Sequence, residues 1–117
     1  MKEEFKKLEE WGCDIKNSLP RFVDDEEFYL EYIYKFKKEE GFLQLGNCLK
    51  EKKNQEAFEY AHMLKGVSGN LGLTPIYEIM CEMVEILRNK KDKEEIESVN
   101  TLYIKGMENF QEFCSLL

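Results

Sequence analysis

The chain has 117 residues, of which 43% are hydrophobic and 13% aromatic, a composition that suits one domain around one packed core. Two prolines and seven glycines are too few turn residues for a β-sandwich, and no apolar run approaches the roughly 18 residues of a membrane span. A formal charge of −7 disfavours nucleic acid and anionic membrane as partners, because an acidic surface repels phosphate.

In chain order, Lys2–Trp11 is predicted as a charged helix with Phe5 and Leu8 as its apolar contacts, ended by Gly12. Its start carries no apolar signal region, so a cytoplasmic protein is expected. Residues 14–22 read as a short helical segment interrupted by Pro20. Asp24 and Asp25 are capping candidates for the run EEFYLEYIYKFKKEE, where Phe28, Ile33 (or Tyr32) and Phe36 recur at helical spacing. Gly41 kinks or breaks that run before FLQLGNCLKEKK, so residues 25–53 form one bent helix or two. Asn54 is the expected N-cap of the next stretch, which ends near Gly72. Thr74 then Pro75 reads as an N-cap followed by proline at the first helical position. The helix they open carries Ile76, Ile79, Met80, Met83 and Leu87 on one stripe. Asp92 with Glu95 resembles a capping box for the last helix. Gly106 inside that helix costs about 1 kcal/mol relative to alanine.

Amphipathic helices joined by short loops predict an all-α fold, an antiparallel up-down-up-down four-helix bundle. The expected organisation is a single domain over 1–117, with 1–23 as an N-terminal helical extension and 24–117 as the bundle. Cys13, Cys48, Cys81 and Cys114 contain no CxxC pair, and the chain has one histidine to assist them. They are read as reduced, buried small hydrophobes, with no metal site and no disulfide.

Residues 55–72 carry the functional information. At about 100° per residue, Ala57, Tyr60, Ala61, Leu64, Val67, Ser68 and Leu71 share a broad inward side. His62 falls nearly opposite, with Gln55, Glu59, Gly66 and Gly69 on its own outer side. Each mid-helix glycine costs about 1 kcal/mol where Ala, Glu or Lys would serve better. Removing side chains at i+4 and i+7 opens an approach to the imidazole, Lys65 at i+3 adds an ammonium, and Phe58 at i−4 offers an apolar flank to a partner. A lone surface histidine, a packing glycine and a solvated lysine are each the commoner reading taken singly. Jointly they describe an accessible nucleophile, a cation and cleared space, which suits phosphoryl transfer from a bulky donor. No Walker-type GxxxxGK[ST] spacing supports an autonomous kinase, and no second catalytic group is spaced to make His62 part of a hydrolase.

The segment AHMLKGVSGNLG, residues 61–72, resembles the signature of histidine-containing phosphotransfer (HPt) domains, and DDEEFYLEYIYKF upstream is similar to the start of the second helix in stand-alone members. The resemblance implies a four-helix bundle and a phosphocarrier in a multistep His-Asp phosphorelay, not an enzyme. It implies His62 as phosphoacceptor, Lys65 as the lysine that offsets phosphate charge, and Gly66 and Gly69 as the small positions. Phe58, Glu59, Gly66 and Gly69 then form the access and docking face. The expected partners are response-regulator receiver domains, one of a hybrid histidine kinase and one of a downstream regulator, met by a monomer. No cofactor is expected, with magnesium held only by the receiver. The competing reading is a helical adaptor that binds signalling domains without taking phosphate. One position departs from the pattern: mirroring residue 62 across the turn near Leu73 lands close to Val84, where the family often places a hydrogen-bonding glutamine to steady the imidazole.

Overall fold

The computed structural model describes residues 2–89 and 93–117. Among the described residues there are seven α-helices and no strand. α1 (Glu3–Trp11) buries Phe5 and Leu8 and ends at Gly12, whose φ of 124° lies in the region that glycine tolerates. The Asp14 side chain accepts from the Asn17 amide and starts α2 (Ile15–Ser18). Pro20 then divides the segment, and residues Leu19–Phe22 form a 3₁₀ turn. Asp25 caps α3 (Glu26–Lys37) by accepting from the amides of Glu27 and Phe28, both at 3.1 Å.

α3 buries Tyr29, Leu30, Ile33 and Phe36. Phe28, expected inside, lies on the outer face beside Tyr32, at 39% and 40% exposure. Tyr29 takes the core position instead because its hydroxyl reaches a buried acceptor, the Leu71 carbonyl at 2.6 Å. The run that follows is two helices rather than one bent helix. α4 (Gly41–Lys50) starts anew at Gly41, where a Cβ would stand 2.7 Å from Met63 Cε and 3.1 Å from Leu64 Cδ2. The break therefore lets the start of α4 close on α5 (Asn54–Leu71).

Two expected caps differ. Asn54 is the first residue of α5 rather than its cap; Lys53 holds the cap position without a side-chain bond. Thr74 opens α6 (Thr74–Asn89) from within, its Oγ1 donating to the Gly72 carbonyl at 3.4 Å instead of to an amide of the helix start. In the two-residue link, Gly72 and Leu73, it is Leu73 that takes the cap position, its carbonyl accepting the amides of Ile76 and Tyr77. Asp92, half of the expected capping box, lies outside the described residues. α7 (Lys93–Ser115) packs on α6 through Gly106, where a Cβ would sit 3.1 Å from Met80 Cε. Its helix penalty is thus offset by close approach of two helices.

α5 lies between α4 and α6, α7 closes on α6, and α3 reaches both α5 and α7. The result is the expected helical bundle with an N-terminal extension whose Phe5 and Leu8 join the same core. Of the cysteines, all free, Cys13 and Cys48 are buried as expected; Cys81 and Cys114 are half-buried at the edges of α6 and α7. No described helix is long and apolar enough to cross a membrane.

Candidate functional site

The inward side of α5 is the one its sequence pattern predicts: Ala57, Ala61, Leu64, Ser68 and Leu71 are buried. His62 is exposed on the opposite side. It lines an open hollow of about 640 Å³ together with Lys65, Gly66 and Gly69 of α5, Tyr77 and Glu78 of α6, and Asp14 and Arg21 of the N-terminal segment. Four of the six residues singled out in the sequence therefore meet on one surface. Phe58 is half-buried next to the imidazole, with ring centroids 5.8 Å apart and planes tilted by 33°. Glu59 is exposed on the other flank of α5, beside Glu56, Tyr60 and Met63, and not in the hollow.

The two glycines of the strip differ. A Cβ at Gly66 would meet nothing within 4 Å, so the helix surface one turn beyond His62 is bare. A Cβ at Gly69 would lie 2.8 Å from two carbons of the Tyr77 ring. Gly69 is a seat for that ring rather than cleared space. The wheel placed both on the outer side but had no information on what α6 lays over it.

Val84 is completely buried in the core and does not face His62. Among the described residues the imidazole has no hydrogen-bond partner, and the Phe58 ring is its aromatic neighbour. Arg88 of α6 lies over Phe58, with its guanidinium carbon 5.8 Å from the ring centroid, and its Nη1 pairs with Glu85 Oε1 at 2.9 Å.

The hollow has a firm back wall. Four successive carbonyls at the end of α5 accept bonds from the N-terminal segment and α3: Arg21 Nη1 donates to Gly69 O (3.1 Å) and Asn70 O (3.0 Å), Tyr29 Oη of α3 to Leu71 O (2.6 Å) and the Asp14 amide to Gly72 O (2.8 Å). These are the groups that a helix C-terminus leaves unpaired, and a guanidinium there also suits the negative end of the helix dipole. The Asn17 side chain and amide beside Asp14 hold its carboxyl below the usual range. A hydrogen bond with Cys81 raises the Tyr77 hydroxyl.

Sequence reasoning missed Arg21, Tyr77 and Arg88. Arg21 reaches the hollow only through tertiary packing across 48 positions of chain, which no local pattern reports. Arg88 was within reach: the mirroring that sets His62 opposite Val84 also sets Phe58 opposite Arg88.

Chemically, an outward imidazole with an ammonium one helical turn away and bare backbone beside it suits nucleophilic attack on a phosphoryl group carried by a large donor. Among the described residues no group of three His, Cys, Asp or Glu side chains is placed to hold a metal ion. A family model described as Hpt domain matches residues 39–113, more than half of the chain. No curated protein and no solved structure matches it significantly.

Proposed function

The chain belongs to the Hpt domain family, whose members carry phosphoryl groups in His-Asp phosphorelays, and we propose that His62 is the residue that carries the group here. The observation that carries this reading is the open strip at Gly66, where a Cβ would meet nothing within 4 Å, directly beside the outward His62. A receiver domain docks on that face and presents its aspartyl phosphate. His62, through Nε2, attacks phosphorus in line; the N–P bond forms as the P–O bond to the aspartate breaks, and the carboxylate leaves. Lys65 offsets charge on the phosphoryl oxygens during the transfer. The phosphohistidine then gives the group to the aspartate of a second receiver by the reverse exchange. Magnesium belongs to the receiver's own acidic site. One receiver is that of a hybrid histidine kinase and the other that of a downstream regulator, each meeting a monomer of this chain.

The test is incubation with a receiver charged by a small phosphodonor, followed by a search for acid-labile, base-stable label. Wild-type protein takes up label and passes it on; His62→Gln keeps its helical spectrum, since the side chain makes no core contact, and takes up none. Label retained by that variant refutes the assignment. Receiver binding without label transfer makes the protein an adaptor.

A further inference from the structure

The imidazole raises a question that the acceptor reading leaves open: what holds it in one orientation. A histidine on a free helix surface distributes among staggered χ1 wells and a broad χ2. Only part of that distribution points one nitrogen squarely outward, and reaction from the remainder is lost. Val84 of α6 is turned fully into the core, and no described side chain hydrogen-bonds the ring.

Three contacts in series lead from the imidazole to α6. The Phe58 ring lies 5.8 Å from the imidazole centroid, tilted by 33°, within the separation at which aromatic pairs attract. Phe58 is itself half-buried, so its own rotamer is restricted by packing. The Arg88 guanidinium covers it at 5.8 Å, and Glu85 holds Arg88 through a 2.9 Å bond on the preceding turn of α6. A line of contact therefore runs from α6 to the imidazole through a ring rather than through a hydrogen bond.

We infer that Phe58 is a positioning residue for phosphoryl transfer, an aromatic clamp that sets the orientation of His62 and is itself braced by Arg88. The clamp rests on the reading of His62 as acceptor. It differs from a docking contact in one consequence. A docking residue matters only when the donor is a protein, whereas a residue that orients the imidazole matters for every donor.

The experiment uses the full chain with labelled histidine and compares wild type, Phe58→Leu, Phe58→Tyr and Arg88→Ala. Two readouts are taken: the His62 ring resonances, and transfer rates from a phosphorylated receiver and from phosphoramidate. Phe58→Leu moves the ring resonances toward those of a free histidine side chain and slows both donors by about three- to tenfold, the range that an aromatic pair of this kind supports. Phe58→Tyr restores both readouts. Arg88→Ala, at a half-exposed site, gives a smaller change in the same direction. Loss with the receiver alone makes Phe58 a docking contact and overturns the clamp, as do unchanged resonances in both Phe58→Leu and Arg88→Ala. Should Phe58→Leu fail to fold, the Arg88→Ala resonances decide. Wild-type protein that takes no label on His62 overturns the acceptor reading, and the clamp with it; label on wild type with equal rates in every variant overturns the clamp alone.

Discussion

Gly66 and Gly72 stand six residues apart in the chain and both line the hollow, yet their surroundings are opposites. Around Gly66 a Cβ would find nothing within 4 Å. At Gly72, where φ is +74°, a Cβ would strike Ser18 Oγ and lie 2.7 Å from the Asp14 carbonyl oxygen. Between them Gly69 is intermediate, seating a ring that is itself partly exposed. The same residue type thus marks a bare surface, a ring seat and a left-handed helix end. The difference teaches how α5 is used. Its last turn is fixed by the N-terminal segment and α3, carbonyl by carbonyl, so that the turn before it is left uncovered without being left loose. An unpaired buried carbonyl costs about 1–3 kcal/mol, which the Tyr29 bond to Leu71 O avoids, and the bonds from Arg21 and Asp14 tie down the carbonyls on either side of it.

An alanine series breaks or sharpens the comparison most directly. Gly72→Ala should lose about 3 kcal/mol, from the left-handed φ and from overlap with Ser18 and Asp14 together. Gly69→Ala should lose about 1 kcal/mol, since the Tyr77 ring must swing outward and the alanine recovers part of the cost as helix propensity. Gly66→Ala should gain up to about 1 kcal/mol. Denaturant midpoints read all three. A loss at Gly66 equal to that at Gly72 would mean that the strip is packed and the docking face lies elsewhere. The functional half of the same contrast is Gly66→Gln, which should hold stability yet cut transfer from a phospho-receiver at least tenfold, by standing in the partner's path, while sparing a small donor.

The fixed end also carries a pH signature that the bare strip lacks. Burial pushes the Cys13 thiol up from 9.0 to about 11, only partly offset by its hydrogen bond with Tyr29, and burial pushes the Tyr29 hydroxyl in the same direction. Both groups are neutral below their unfolded-state values, so their contribution is complete at neutral pH. Above pH 9 the unfolded chain loses the thiol proton while the folded chain keeps it. Stability therefore falls as pH rises, by about 2 kcal/mol from Cys13 by pH 11. Urea titrations between pH 8 and pH 11 check this, and Cys13→Ala should flatten the decline. A wild-type curve as flat as that of the variant would show that the thiol is not desolvated behind the end of α5.

How much of this was legible in the sequence follows the range of the forces involved. The helices, their order and the inward face of α5 were readable because the apolar period is local. His62 and Gly66 were placed correctly because one wheel suffices for both. What Gly69, Val84 and Phe28 meet could not be read, because it depends on tertiary packing: Tyr77 covers the first, the core takes the second, and the reach of Tyr29 to Leu71 turns the third outward. Asn54 and Thr74 failed as caps by a single residue, the scale on which tight links between helices decide. Arg21 had no sequence signal, since its partners are carbonyls that any residue would supply.

The smallest expected effect concerns the cation on the bare strip. Lys65 lies one turn from His62, half-buried beside the hollow, and among the described residues it has no ion-pair partner to hold it back from an incoming phosphoryl group. Its charge interaction forms only when the phosphate arrives, so Lys65→Ala should leave the unfolding midpoint unchanged. An exposed charge pair contributes about 1 kcal/mol or less, which bounds the loss of transfer rate at roughly fivefold. Added salt should shrink the difference between variant and wild type, because screening removes from the wild type what the substitution removes from the variant. A salt-independent loss would assign Lys65 to the fit of the partner rather than to phosphate charge. Unchanged rates in both directions would place the neutralising charge on the receiver, and the strip around His62 would then contribute only its openness.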